Sequence, residues 1–153
     1  RACSIAALKI GNVLDVAGNV KDEFVLNAEQ TKGNKAQRVF VSARLKKEIE
    51  KYVSHLNEIS PHFFSGDLPL IQSQKQQKHF SSNSLVQLVN RIFKAAGVDT
   101  SSHAMRRQFI TNLANNAVNP RVIQKLANHS SLNHTMRYIE VTDEQMKCAV
   151  EMV

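Results

Sequence analysis

The motifs His103-Ala104-Met105-Arg106, Asn128-His129-Ser130-Ser131 and Thr135-Met136-Arg137-Tyr138 decide how this sequence is interpreted. His103 and Arg106 lie three positions apart in a predicted helix, so their side chains share one face. An arginine can bind two phosphate oxygens, while a histidine can donate to a third oxygen or transfer a proton. With a tyrosine hydroxyl, these groups suit a site that holds a phosphodiester while a hydroxyl attacks its phosphorus. They suit a metal site poorly.

Each of these residues also has an ordinary structural explanation. A histidine and an arginine three positions apart are common on solvated helices, and His129 in a loop can serve a purely structural role. Tyr138 at the end of a short segment is normally a packing residue whose hydroxyl has a partner. If Tyr138 instead faces the same cavity as the two histidines and Arg106, it can act as a nucleophile.

The composition indicates a soluble protein with a polyanionic partner. Its 153 residues are 42% hydrophobic and 22% charged, which suits one globular domain with its own core. The net charge of +7 favours nucleic acid as the partner. Cys3 and Cys148 match no zinc-binding pattern, and no apolar run is long enough to span a membrane. We expect a cytoplasmic protein, with further residues preceding Arg1 because a helical pattern starts at once.

Hydrophobic periodicity and turn residues predict a mainly helical α+β fold with a small three-stranded antiparallel sheet. The strands are predicted at residues 13–16, 23–27 and 38–41, and a turn at residues 32–35 joins the last two. Helices are predicted at residues 2–10, 42–59, 84–96, 101–115, 121–127, 132–138 and 142–153. Residues 61–84 are predicted to be a long loop with a short apolar piece at residues 68–71.

Several helices carry recognisable caps and apolar stripes. Asn119-Pro120 predicts a capped helix start, and Thr142 with Gln145 forms a predicted capping box. The stripes predicted to be buried are Leu45, Ile49, Tyr52, Val53 and Leu56 in one helix, and Met105, Phe109, Ile110 and Leu113 in another.

The order and spacing of the three motifs resemble the C-terminal signature of the tyrosine recombinase (phage integrase) family. Residues 1–10 resemble the family segment that contains its first catalytic arginine. Lys32, followed by Arg38-Val39-Phe40-Val41, resembles the hairpin that bears the family's catalytic lysine. The resemblance covers essentially the whole chain. It implies one catalytic domain with the tyrosine recombinase fold, and the family's N-terminal DNA-clamping domain has no counterpart in these 153 residues.

The resemblance implies a role for each site residue. Tyr138 would attack a DNA phosphate and form a 3′-phosphotyrosine bond, while Arg1 and Arg106 would bind the scissile phosphate. Lys32 would protonate the leaving 5′-oxygen. His103 would assist proton transfer, and His129 would donate a hydrogen bond to the phosphate. No metal or cofactor is expected.

Three positions depart from the family pattern. Arg107 stands where histidine or lysine is often found, and it keeps the positive charge. Ser4 stands where an acidic residue is common. Asn128 replaces the usual glycine before His129, but asparagine tolerates a left-handed backbone, so the turn can persist. Further DNA contacts are predicted at Lys35, Arg38, Arg107 and Arg137.

The expected partner is double-stranded DNA, bound by a homotetramer in which the C-terminal helix passes between subunits. That helix can equally pack on its own subunit. Three other interpretations stay open at this stage: strand relaxation like that of a type IB topoisomerase, a DNA-binding module that has lost activity, and a helical domain with a basic surface. The Asn128-His129-Ser130-Ser131 and Thr135-Met136-Arg137-Tyr138 motifs and the short loop before Tyr138 favour a site-specific recombinase from a bacterium, a phage or a mobile element.

Overall fold

The computed structural model describes residues 1–59, 65–73 and 78–152. The chain forms two compact units, Arg1–Thr100 and Ser101–Val153. The first unit contains the helices α1 (Ala2–Ala6), α2 (Ile10–Val13), α3 (Ala43–Ile59) and α4 (Ser82–Ala95), and the strands β1 (Glu23–Leu26) and β2 (Gln37–Phe40). The second unit contains α5 (Ser102–Asn115), α6 (Pro120–Leu126), α7 (Leu132–Met136) and α8 (Asp143–Val150). The mainly helical prediction is confirmed.

The sheet of the first unit has two strands in the described residues, where three were predicted. β1 and β2 are antiparallel, with Glu23 opposite Phe40 and Leu26 opposite Gln37. Side chains alternate between a covered and an exposed face, as a half-buried pair requires. The exposed face carries Arg38, whose guanidinium pairs with Glu23 and lies 5.2 Å from the centre of the Phe40 ring.

The predicted strand at residues 13–16 is wrong because the preceding residues form α2. The Asn12 side chain accepts a hydrogen bond from the Lys9 N–H (2.9 Å) and so caps the start of this helix. Gln30, distant in sequence, donates to the same Asn12 oxygen (2.9 Å). The predicted helix at residues 2–10 is therefore divided into α1 and α2. Of the third strand only an isolated bridge from Leu14 to Val20 remains.

The core of the first unit forms around α2 and the chain that follows it. Its buried members are Ile10, Val13, Leu14, Val20 and Leu70. Leu70 belongs to the apolar piece predicted within the long loop, of which residues 60–64 and 74–77 lie outside the described part. Gly11 meets Gly66 so closely that a Cβ at Gly11 would lie 3.1 Å from the Gly66 carbonyl oxygen.

The buried stripe predicted for α3 is partly confirmed. Ile49, Val53 and Leu56 pack against the core cluster of the first unit. Leu45 and Tyr52 are 45% and 36% exposed, so burial of these two was overestimated. The Tyr52 hydroxyl still donates a hydrogen bond to the carbonyl oxygen of Leu70, a core residue (3.0 Å).

The second unit packs α5 against α6. Ile110 and Ile123 are fully buried, and Ala114 and Ala127 complete the cluster. Met105 and Phe109 were predicted to be buried but are about half exposed, at 50% and 46%. The buried stripe on α5 is therefore narrower than the sequence pattern indicates, because Ile110 and Ala114 are the α5 residues buried in the cluster with α6.

The predicted caps of α6 and α8 are confirmed. The Asn119 side chain accepts from the Arg121 N–H, with Pro120 in the first turn of α6. Thr142 and Gln145 form the reciprocal capping box of α8. Among the described residues, no helix is long and apolar enough to cross a membrane.

Candidate active site

Arg106 is fixed by the end of the neighbouring helix. Its guanidinium donates a hydrogen bond to the carbonyl oxygen of Ala127, the C-terminal cap of α6. A helix leaves its last carbonyl groups without partners and is negative at that end, so a guanidinium there is favourable. A guanidinium has five N–H donors, so one side chain can bind both a carbonyl oxygen and an anion. His103 lies one turn earlier on α5 and is exposed.

His129 is placed by the turn that ends α6. The Asn128 N–H donates to the Lys125 carbonyl (3.1 Å), and the His129 N–H donates to the Gln124 carbonyl (3.0 Å). These two bonds form a Schellman motif, which requires a left-handed residue after the cap. Asn128 supplies it with a φ of +50°. The prediction that asparagine preserves this turn is confirmed.

The His129 ring contacts three side chains of the segment that follows. Its Nδ1 lies 2.9 Å from the hydroxyl oxygen of Thr135, which is fully buried. The His134 ring meets it edge-on, with 6.0 Å between the ring centres. The Tyr138 ring stacks on it at 6.3 Å and an interplanar angle of 23°. His129 and Tyr138, nine positions apart in sequence, are therefore neighbours in space.

Tyr138 is held by its ring and its backbone. The ring packs against the core cluster of the second unit, and the Tyr138 N–H donates to the Thr135 carbonyl (3.0 Å). Within the described residues, the phenol oxygen has no hydrogen-bond partner. A tyrosine that serves packing alone usually has its hydroxyl bonded. This arrangement leaves the hydroxyl available for chemistry.

The sequence around this cluster is free of negative side chains. Between Asp99 and Glu140 the chain has no carboxylate side chain, and it has three histidines. The same segment carries five permanent cations: Arg106, Arg107, Arg121, Lys125 and Arg137. Such a segment favours a phosphate, since no carboxylate of the same segment competes for the cations.

The two remaining candidate residues belong to the first unit. Arg1 is the N-terminal cap residue of α1 and is exposed. Lys32 is exposed in the loop between β1 and β2. The neighbouring Thr31 is buried, and its hydroxyl donates to the Lys35 carbonyl (2.8 Å) and accepts from the Lys35 N–H (3.2 Å). The loop that carries Lys32 is therefore braced from within.

The predicted DNA-contact residues are all exposed: Lys35, Arg38, Arg107 and Arg137. Arg38 differs from the others because its bond to the Glu23 carboxylate raises the pKa of the guanidinium above its ordinary value. An exposed ion pair of this kind is weak because water screens it, so a phosphate can compete for Arg38.

Sequence reasoning missed Thr135 and His134 as parts of the site. Thr135 stands in the quoted motif, but a threonine in a short helix gives no signal that its hydroxyl reaches a histidine. For His134 the sequence signal is its position four residues before Tyr138, which places both side chains on one face if the helix continues.

Comparison with known proteins shows the family to which this chain is related. The model of the phage integrase family matches residues 1–145. Tyrosine recombinase XerA of Pyrococcus horikoshii is 28% identical over 152 residues, which cover 99% of this chain and 49% of that protein. The chain thus spans about half the length of this relative.

Solved structures show the same fold. A crystal structure of XerA recombinase superposes with a TM-score of 0.71 at 20% identity, covering 99% of this chain and 52% of the other. The Tn1549 transposon integrase in complex with a circular intermediate DNA gives a TM-score of 0.69 at 16% identity, covering 100% and 54%. Since the family model matches residues 1–145 of its 153 residues, this chain belongs to the phage integrase family.

Proposed function

We propose that this chain is the catalytic domain of a site-specific DNA recombinase or integrase that cleaves and rejoins strands through a 3′-phosphotyrosine bond. The observation that carries the proposal is the stacking of Tyr138 on His129. Arg106 is bonded to the Ala127 carbonyl two residues before His129, and the whole segment lacks carboxylates. It combines a nucleophile, a bidentate anion ligand and a hydrogen-bond donor in one compact unit. The relatives are named as recombinases and an integrase, which favours this function over strand relaxation or loss of activity.

In the proposed cleavage step, the Tyr138 oxygen forms a bond to phosphorus as the bond to the 5′-oxygen breaks. His103 assists removal of the phenol proton, and Lys32 gives a proton to the leaving 5′-oxygen. Arg1 and Arg106 neutralise the charge on the non-bridging oxygens, to which His129 also donates. The phosphotyrosine bond keeps the energy of the phosphodiester, so a hydroxyl from a second DNA strand can reverse the step.

The proposal requires that Arg1 and Lys32 join the cluster of the second unit around one DNA phosphate. The family resemblance supports this requirement, because it assigns protonation of the 5′-oxygen to Lys32. This lysine lies in the first unit, on a loop that Thr31 braces from within. Double-stranded DNA is the proposed partner, and the net charge of +7 supports it.

We also propose that α8 exchanges between subunits of a homotetramer on DNA. Its apolar side chains support this idea, because Met146 and Val150 are 51% and 74% exposed, and Met152, just past the helix, is 84% exposed. Apolar side chains grouped along a helix and exposed to this extent favour burial against a partner. A Val150→Asp variant should still bind DNA but fail to form the tetrameric complex, as measured by the mass of the complex in solution.

The central test is covalent capture on DNA. The full-length protein is incubated with nicked duplexes of randomised sequence, in which cleavage near the nick releases a short strand and traps the enzyme. The expected result is a protein–DNA adduct that survives denaturing electrophoresis. The Tyr138→Phe variant should form no adduct.

The other tyrosine of the chain offers a matched control. Tyr52 lies on α3 and has no place in the proposed reaction, so Tyr52→Phe should still form the adduct. An adduct from Tyr138→Phe would refute the nucleophile assignment. Absence of any adduct from the unaltered protein on a pool that it binds would refute the proposed activity.

A further inference from the structure

The hydroxyl of Thr135 is the donor in its hydrogen bond with His129. Thr135 is fully buried in α7, and its oxygen lies 2.9 Å from His129 Nδ1. Among the described residues, the Thr135 hydroxyl has one hydrogen-bond partner, the His129 ring. A buried hydroxyl hydrogen needs an acceptor, and here the available acceptor is Nδ1.

This direction of donation fixes where the ring proton lies. A neutral imidazole carries one hydrogen, so a ring that accepts at Nδ1 carries its hydrogen on Nε2. If the ring becomes protonated, the hydroxyl can turn and accept from Nδ1–H. The contact therefore persists in both charge states, and Nε2 is a donor in both. A carboxylate at the same place would favour the charged ring alone.

Thr135 also connects His129 to the candidate nucleophile. Its carbonyl oxygen accepts the Tyr138 N–H at 3.0 Å, while its side chain holds the ring on which Tyr138 stacks. One buried residue thus sets the position of both groups. Removing its hydroxyl should change the position of the imidazole more than that of Tyr138, because the backbone bond to Tyr138 does not involve the Thr135 side chain.

We propose that Thr135 is a positioning residue that holds His129 as an Nε2–H donor directed at the scissile phosphate. The proposal rests on the proposed recombinase function, but the state of the ring can be measured without DNA. It assigns to the threonine of the Thr135-Met136-Arg137-Tyr138 motif a task in catalysis besides helix packing.

The first experiment reads the ring directly in the 153-residue chain. Long-range ¹H–¹⁵N correlation spectra distinguish a protonated from an unprotonated ring nitrogen. At a pH where His129 is neutral, we expect the hydrogen on Nε2 alone. In Thr135→Val, which keeps the shape but lacks the hydroxyl, the Nδ1 signal should move and the ring should become mobile. A hydrogen on Nδ1 in the unaltered chain would overturn the proposal.

The second experiment measures adduct formation by the full-length protein in a single turnover. Removing one donor to a developing negative charge typically costs about 10²–10³-fold. Thr135→Val leaves the donor present but poorly held, so we expect about a tenfold slower reaction with unchanged DNA affinity. Thr135→Ser restores the hydroxyl and should react within about threefold of the unaltered protein. Thr111→Val, which removes a hydroxyl from α5, is the matched control.

The outcomes separate this proposal from the proposed function. If the unaltered protein forms no adduct, the function fails, while the ring measurement still tests the contact. If it forms the adduct and Thr135→Val reacts as fast, the positioning role is refuted. Equal slowing of Thr135→Val and Thr135→Ser would show that the reaction responds to any change of this side chain and not to its hydroxyl, and would also refute the positioning role.

Discussion

The turn at Asn128 allows a test of how strongly stability and catalysis depend on its left-handed backbone conformation. Asn128 has a φ of +50° and immediately precedes His129. An ordinary L-residue in this left-handed region costs about 1–2 kcal/mol. Glycine avoids that cost, but the greater freedom of its unfolded chain lowers the free energy of unfolding by about 0.5–1 kcal/mol. Asn128→Gly should therefore be more stable than Asn128→Ala by about 0.5–1 kcal/mol.

The same substitutions should affect catalysis through His129. If residue 128 leaves the left-handed region, the bond from the His129 N–H to the Gln124 carbonyl is lost and the imidazole moves. A β-branched residue is the least compatible with this conformation, so Asn128→Val should lose the most stability. We expect adduct formation to fall in the same order, with glycine fastest, alanine intermediate and valine slowest.

Urea unfolding of the 153-residue chain measures the stability, and single-turnover adduct formation measures the activity. Comparing alanine with glycine removes the contribution of the Asn128 side chain, because neither variant has it. The reasoning would be refuted if Asn128→Ala were as stable as Asn128→Gly. If stability followed the expected order while adduct formation did not, the link between this turn and the catalytic role of His129 would be refuted.

Three further predictions follow from other contacts. Ala117 ends α5 in the same left-handed conformation, with a φ of +54°, so Ala117→Gly should stabilise the chain by about 0.5–1 kcal/mol in urea unfolding. Burial raises the pKa of the Tyr52 phenol, so the folded chain keeps this proton when the unfolded chain releases it, and stability should fall as pH rises through 10.0. Tyr52→Phe should remove that part of the pH dependence and, through loss of the 3.0 Å bond to the Leu70 carbonyl, cost about 1 kcal/mol at neutral pH. Arg106→Ala should slow adduct formation by about 10²-fold or more but retain most of the salt-sensitive DNA affinity, and an equal loss of both would make Arg106 a binding residue only.

The first third of the chain shows where sequence patterns mislead. Residues 13–16 are apolar enough to suit a strand, and a four-residue run cannot distinguish a strand from the end of a short helix. The choice depends on Asn12, whose side chain caps α2 and receives a second bond from Gln30. That bond joins residues far apart in sequence, so local propensity gives no sign of it.

Burial on α5 was overestimated for a related reason. Met105 and Phe109 continue the apolar stripe of Ile110, and periodicity predicts all three to be covered. How much of a stripe is covered depends on the neighbouring helix. α6 spans only Pro120–Leu126, and it buries Ile110 fully but leaves the other two about half exposed.

The sequence alone determined the features that depend on neighbouring residues. The caps at Asn119 and Thr142, the hairpin around Lys32 and the tolerance of Asn128 for a left-handed turn follow from local chemistry. The motif order also sufficed to identify the candidate residues and the family. These features are local because a cap or a turn forms hydrogen bonds within a few positions.

Only the tertiary structure decided how the candidate residues are held. It anchored Arg106 on the carbonyl oxygen of Ala127 and brought the rings of His129 and Tyr138 together. It also gave the buried Thr135 hydroxyl its place at the imidazole. Each of these contacts depends on the packing of α5, α6 and α7. Their geometry depends on where whole helices lie, which no local pattern in the sequence specifies.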